Sequence, residues 1–69
     1  MNEKPLTTEE AMERAKGLAE KAGLPMTFLT ITDVKKENDV YIVKIQVISK
    51  EYEARINAQT GDAIEWKQI

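Results

Sequence analysis

Tyr52-Glu53-Ala54-Arg55-Ile56-Asn57-Ala58-Gln59-Thr60-Gly61-Asp62-Ala63-Ile64-Glu65-Trp66 decides the fold. Tyr52, Ala54 and Ile56 alternate with Glu53, Arg55 and Asn57, and Ile64 and Trp66 alternate with Glu65 and Lys67. A period of two is the signature of half-buried strands. Between the two runs lies Gln59-Thr60-Gly61, which reads as a three-residue hairpin with Gly61 in the left-handed region at a G1 bulge. That turn sets Ile56 opposite Ile64 and Ala54 opposite Trp66, core against core.

Upstream the alternation continues. Tyr41, Val43, Ile45 and Val47 share one face, and Ile42, Lys44, Gln46 and Ile48 share the other. A turn centred on Ser49-Lys50 pairs Val47 with Tyr52, Ile45 with Ala54 and Val43 with Ile56, all on the apolar face. A first strand is expected over Thr27–Lys35. There Leu29 and Ile31 follow one phase and Phe28 and Val34 the other, so a bulge between Ile31 and Val34 is expected. Lys36-Glu37-Asn38-Asp39 is the connecting loop.

The first element is a helix from about Thr8 to Ala22. Thr7 and Glu10 form a capping box, and Ala11, Met12, Ala15, Leu18, Ala19 and Ala22 recur at helical spacing. Glu10 with Arg14, and Lys16 with Glu20, are opposite charges four residues apart. Gly23-Leu24-Pro25 is the stop. Gly17, on the polar face, weakens the helix by roughly 1 kcal/mol relative to Ala. One helix with one apolar face and one sheet with one apolar face cover each other. The fold class is therefore α+β: a two-layer sandwich with one N-terminal helix on a four-stranded antiparallel meander, α-β-β-β-β. Residues 1–69 form a single domain, with residues 1–6 expected to fray.

Composition bounds the function. The 69 residues carry 10 Lys+Arg and 12 Asp+Glu, a net charge of −2, without the basic footprint of a nucleic-acid binder. There is no His and no Cys, and Ser49 is the single serine. The usual general base, the thiol nucleophile and the hydrolytic triad are all missing. A binding or structural module is expected rather than an enzyme, with no cofactor and no metal. No stretch approaches the apolar length of a membrane helix, so direct membrane insertion is not expected. No signal-peptide pattern opens the chain, which leaves either a cytosolic protein or an exported domain without its signal.

The opening Thr8-Glu9-Glu10-Ala11, the central Tyr41-x-Val43-x-Ile45 and the closing hairpin Tyr52–Ile64 resemble the PepSY domain family. The resemblance covers Thr7 to Trp66. Asn57 stands where the family commonly has Asp, and Ser49-Lys50 lacks the Asp/Asn-Gly often found at that turn. The resemblance implies a non-catalytic, extracytoplasmic module of the kind found in propeptides of thermolysin-like metallopeptidases, one that inhibits or regulates a peptidase. It transfers no catalytic residue.

Candidate sites follow from the outer sheet face. Glu51, Glu53 and Glu65 would suit paired-carboxylate chemistry, but opposite-charge partners across the strands make them a solvated lattice. In the registers above Glu53 faces Lys67, Glu65 faces Arg55, and Lys44 with Arg55 is the one like-charge pair. Asp33, Glu37 and Asp39 lack the spacing of a calcium loop. Trp66 is expected to cap the core over Ala54. Val40, Ile42, Ile48 and Ile69 sit where alternation predicts solvent, with Ile48, Glu51 and Ile69 in one row and Ile42 and Ala63 flanking Asn57. Ile42, Ile48, Trp66 and Ile69 are therefore the candidate partner-binding residues. The expected partner is a protein, either a peptidase or a further copy in the chain's own assembly, with the chain a monomer or weak homodimer. The alternative to peptidase regulation is a structural or interaction module, self-associating or docking through the sheet edge or the outer sheet face.

Overall fold

A computed structural model of the chain describes residues 5–69. One helix, α1 (Thr8–Lys21), leads through a short 3-10 turn (Met26–Phe28) into four strands. These are β1 (Leu29–Glu37), β2 (Val40–Val47), β3 (Lys50–Asn57) and β4 (Ala63–Gln68). They form one antiparallel sheet in the order β1-β2-β3-β4, and α1 packs on one face of it. This is the α-β-β-β-β sandwich that the alternation implied.

The ends of α1 are fixed by local chemistry. Glu10 N–H donates to Thr7 Oγ1 at 3.1 Å, and Thr7 N–H donates to Glu10 Oε1 at 2.9 Å, closing the capping box. At the other end Gly23 has φ +84, Gly23 N–H reaches Glu20 O, and Leu24 N–H reaches Ala19 O. That is a Schellman ending. Glu10 spends its carboxylate on the cap, and no ion pair forms along the helix among the described residues. Ala11, Ala15 and Ala19 are fully buried. Their small side chains let the helix axis approach Val43, Ile45, Ala54 and Ile56 closely. Each large aliphatic residue so buried contributes about 1.5–3 kcal/mol.

The registers differ from expectation at two places. β2 and β3 meet through the two-residue turn Ile48-Ser49, so Val47 pairs with Lys50, Ile45 with Tyr52, Val43 with Ala54 and Tyr41 with Ile56. The expected turn at Ser49-Lys50 is displaced by one residue, and the pairing slips by two. In the closing hairpin Ala54 faces Trp66 as expected, but a register shift pairs Ile56 with Ala63 rather than Ile64. The loop is one residue longer than expected. Asn57 N–H donates to Asp62 O, and Gly61 N–H, at φ +83, returns to Asn57 O. Asn57 Oδ1 accepts from the N–H groups of Gln59 and Thr60 at 2.7 and 3.2 Å. An Asn serves here as well as an Asp because only its carbonyl oxygen is used.

The first strand holds its expected bulge, between Ile31 and Asp33, which keeps Leu29, Ile31 and Val34 against the core. Its turn is shorter than expected, Asn38-Asp39 alone, since Lys36 and Glu37 pair with Tyr41 and Val40. Phe28 falls in the 3-10 turn rather than the strand. Leu6 does not fray. Its N–H donates to Ala58 O at 2.6 Å and its carbonyl accepts from Tyr41 Oη at 2.8 Å. Residues 1–4 of the expected frayed terminus lie outside the described residues.

Candidate functional site

The two faces of the sheet have different fates. The inner face is closed by α1. The outer face carries rows of charge that run across the strands: Asp33, Lys44, Glu53 and Lys67 stand in register and alternate in sign. Lys44 thus faces Glu53, not Arg55, and the like-charge pair expected there does not exist. Arg55 Nε donates to Glu53 Oε2 at 2.9 Å and lies 3.5 Å from Glu65 Oε1; Lys67 Nζ is 3.9 Å from Glu53. The hydrogen bond from Arg55 holds the Glu53 carboxyl below its usual value, assisted by Lys67. The same bond raises Arg55 above its usual value. Exposed pairs of this kind are largely screened by solvent and add little to stability. Among the described residues no group of three or more carboxylates is placed to hold a metal ion, and no helix is long and apolar enough to cross a membrane.

Ile42 is not available to a partner. It is only 5% exposed although it points away from the helix. Its cross-strand neighbours are Lys35 and Arg55, whose aliphatic stems can shield an isoleucine while their charges stay in water. Asn57, expected beside Ile42, instead faces Val40. Trp66 is half-buried, faces Ala54, and stacks on Tyr52 with ring centroids 5.2 Å apart and 11° between planes. Its indole is committed to the edge of the core. Ile69 is exposed at the chain end, where its N–H donates to Glu51 O. The expected row Ile48–Glu51–Ile69 is broken, because Gln46 occupies the place opposite Glu51.

Ile48 is exposed for a different reason than expected. It belongs to no strand face and forms the first residue of the β2–β3 turn, with φ +59. A β-branched residue at positive φ is a genuine outlier. The turn is braced from outside: Gln46 Nε2 donates to Ile48 O at 3.2 Å. The side chain is 66% exposed. It borders a shallow depression of about 220 Å³ walled by Leu24, Pro25, Val47 and Tyr52.

Further apolar residues collect at the same end of the sheet. Leu29 pairs with Val47, so Phe28 and Ile48 are the residues that follow this pair outward, just beyond the two strands. Phe28 is 61% exposed and Met26 40%. Both belong to the 3-10 turn that precedes β1, in which Phe28 N–H donates to Pro25 O at 3.2 Å. The alternation placed Phe28 inside the expected strand, in phase with Val34, and left Met26 just before it; both instead form the 3-10 turn. The available signal was Pro25 directly after a helix stop, which favours a turn before any strand begins.

A second cleft, of about 370 Å³, lies between α1 and the β3–β4 loop. Gly17 opens its wall, since a Cβ there would meet nothing within 4 Å. The Arg14 guanidinium lies over Gly61 at its rim, and its walls carry charges of both signs. It has neither the uniform charge nor the apolar character that would select a ligand.

Compared with protein-family models, with curated proteins and with solved structures, the chain matches none.

Proposed function

We propose that the chain is a non-catalytic protein-binding module that docks by its apolar end, with Ile48 as the anchor and Phe28 next outward from the Leu29–Val47 pair. The observation that carries this reading is Ile48 itself: a β-branched side chain at φ +59, two-thirds exposed. The left-handed conformation costs an L-residue about 1–2 kcal/mol, and selection for stability alone would place Gly or Asn there. Strain of this kind persists where surrounding structure enforces it, and it concentrates at binding sites. A rigid tip that presents one large aliphatic side chain fits an apolar pocket with little ordering left to do on binding.

The partner class comes from the sequence. The PepSY resemblance points to a peptidase of the thermolysin-like type, inhibited or regulated without chemistry from this chain. The absence of His and Cys from the sequence is in keeping with that role.

The test is an inhibition titration against secreted zinc metallopeptidases, following both enzyme rate and cleavage of the chain. Saturable inhibition without cleavage is expected, weakened at least tenfold by Ile48→Asn. Clean proteolysis of the chain, or inhibition equally strong from Ile48→Asn, would refute docking through this tip. If none of the panel is inhibited, the peptidase assignment is withdrawn.

A further inference from the structure

The sheet has two free edges, β1 and β4, and they are not equally protected. β1 is interrupted by its bulge and ends in Lys35-Lys36-Glu37, which are standard defences against edge pairing. β4 has its irregularity at the start, between Ala63 and Glu65, and runs regularly from there to Gln68.

The direction of its free backbone groups can be deduced. Ile69 N–H donates to Glu51 O, so residues 65, 67 and 69 turn their N–H and C=O groups toward β3. Trp66 and Gln68 therefore turn theirs outward, with no strand beyond them among the described residues. The side chains of Glu65 and Lys67 lie on the outer face, in the charge rows with Arg55 and Glu53.

We propose that β4 pairs antiparallel with β4 of a second copy about a two-fold axis through Trp66, joining two sheets into one of eight strands. Charge and hydrogen bonding select this register together. With the axis at Trp66, the outward groups of Trp66 meet those of the other Trp66, and Gln68 stands opposite Ile64, the residue at the β4 irregularity. The non-hydrogen-bonded pairs, where side chains approach most closely, set Glu65 opposite Lys67 twice. Moving the axis to Glu65 sets glutamate against glutamate, and moving it to Lys67 sets lysine against lysine. An axis between residues would face outward groups with inward ones.

In the favoured register the row Asp33, Lys44, Glu53, Lys67 continues into the second copy's Glu65 and Arg55. Six charges then alternate in sign across the junction. Ile64, 54% exposed in the single chain, lies in the seam. The inference stands apart from docking through Ile48, which is at the β2–β3 turn and not on this edge.

The chain contains no cysteine, so a cross-linking test has a clean background. Glu65→Cys and Lys67→Cys, each at an exposed position, are prepared separately and then mixed under mild oxidation. A disulfide-linked heterodimer is expected in the mixture, with little homodimer from either variant alone. Equal cross-linking in the single variants would overturn the register. Sedimentation of the unaltered chain at rising concentration should show a monomer–dimer equilibrium. Gln68→Pro, which removes an outward N–H while sparing the bonds to β3, should weaken that equilibrium about tenfold. A chain that remains monomeric to about millimolar concentration would overturn the proposal outright, whatever the outcome of any peptidase titration.

Discussion

The β1–β2 and β2–β3 turns share one geometry and differ in the residue that carries it. Each is a two-residue connection whose first residue has positive φ: Asn38 at +57 and Ile48 at +59. Asn tolerates this conformation because its short polar side chain satisfies nearby backbone groups. Ile has no such compensation, and its branched Cβ crowds the backbone. Asn38 lies beside Asp39, whose carbonyl receives Ala58 N–H at 2.7 Å, a joint that holds the fold together. Ile48 lies at the opposite end of β2, beside Phe28 and the apolar depression. The residue that fits its turn sits where the fold needs a joint, and the residue that does not fit sits where an apolar side chain is displayed.

Substitutions can break or sharpen this contrast. The largest effect is expected at another left-handed position, Gly61, whose φ is +83 and whose added Cβ would lie 3.1 Å from Arg14 Cζ. Gly61→Val combines backbone strain with that contact, and a loss of about 2 kcal/mol or more is expected in urea unfolding. A neutral result would mean the loop relaxes freely and that left-handed geometry is cheap in this chain. Next is Asn38→Ile, which makes the first turn resemble the second. A loss of about 1–2 kcal/mol is expected, and no loss would remove the argument that Ile48 is strained.

The smallest effect is one of pH. Arg55 holds Glu53 below its usual pKa, so the stability from that contact is complete above the ordinary carboxylate range. It is lost as pH falls through the lowered value. Backbone strain does not titrate. The stability difference between Asn38→Ile and the parent should therefore stay constant across that acid range while both proteins weaken. A difference that changed with pH would tie the turn to the charge lattice.

Much of the fold was legible because local and global signals agreed. The capping box, the Gly23 stop, the three-alanine stripe and the alternation of the last three strands each had one reading, while the first strand showed two phases that its bulge reconciles. The β2–β3 register was not legible, and the reason is specific. Turn chemistry forbids a β-branched residue at positive φ, so Ile48 is naturally read as a strand residue. The resulting two-residue slip leaves every side chain on its own face, so the test of burial passes either way. Charge was the overlooked signal: the expected register set Lys44 against Arg55, and the observed one sets Lys44 against Glu53. Of the candidate partner residues, Ile42 was misjudged because alternation says which face a residue occupies and nothing of what its neighbours' stems cover. Ile48 was exposed as expected, but as a turn tip. Met26 and Phe28 became surface residues through a 3-10 turn that apolar periodicity alone could not foresee.

The most direct measurement is the urea unfolding midpoint of Ile48→Asn beside that of the parent. Relief of left-handed strain should return about 1–2 kcal/mol. Losing the partly buried isoleucine, about a third of a burial worth about 1.5–3 kcal/mol, offsets part of that gain. A variant more stable by about 0.5–1 kcal/mol is expected, which would show that the parent gives up stability to display Ile48 at the tip. A variant less stable than the parent would show that Ile48 is there for packing, and docking through this end would lose its foundation.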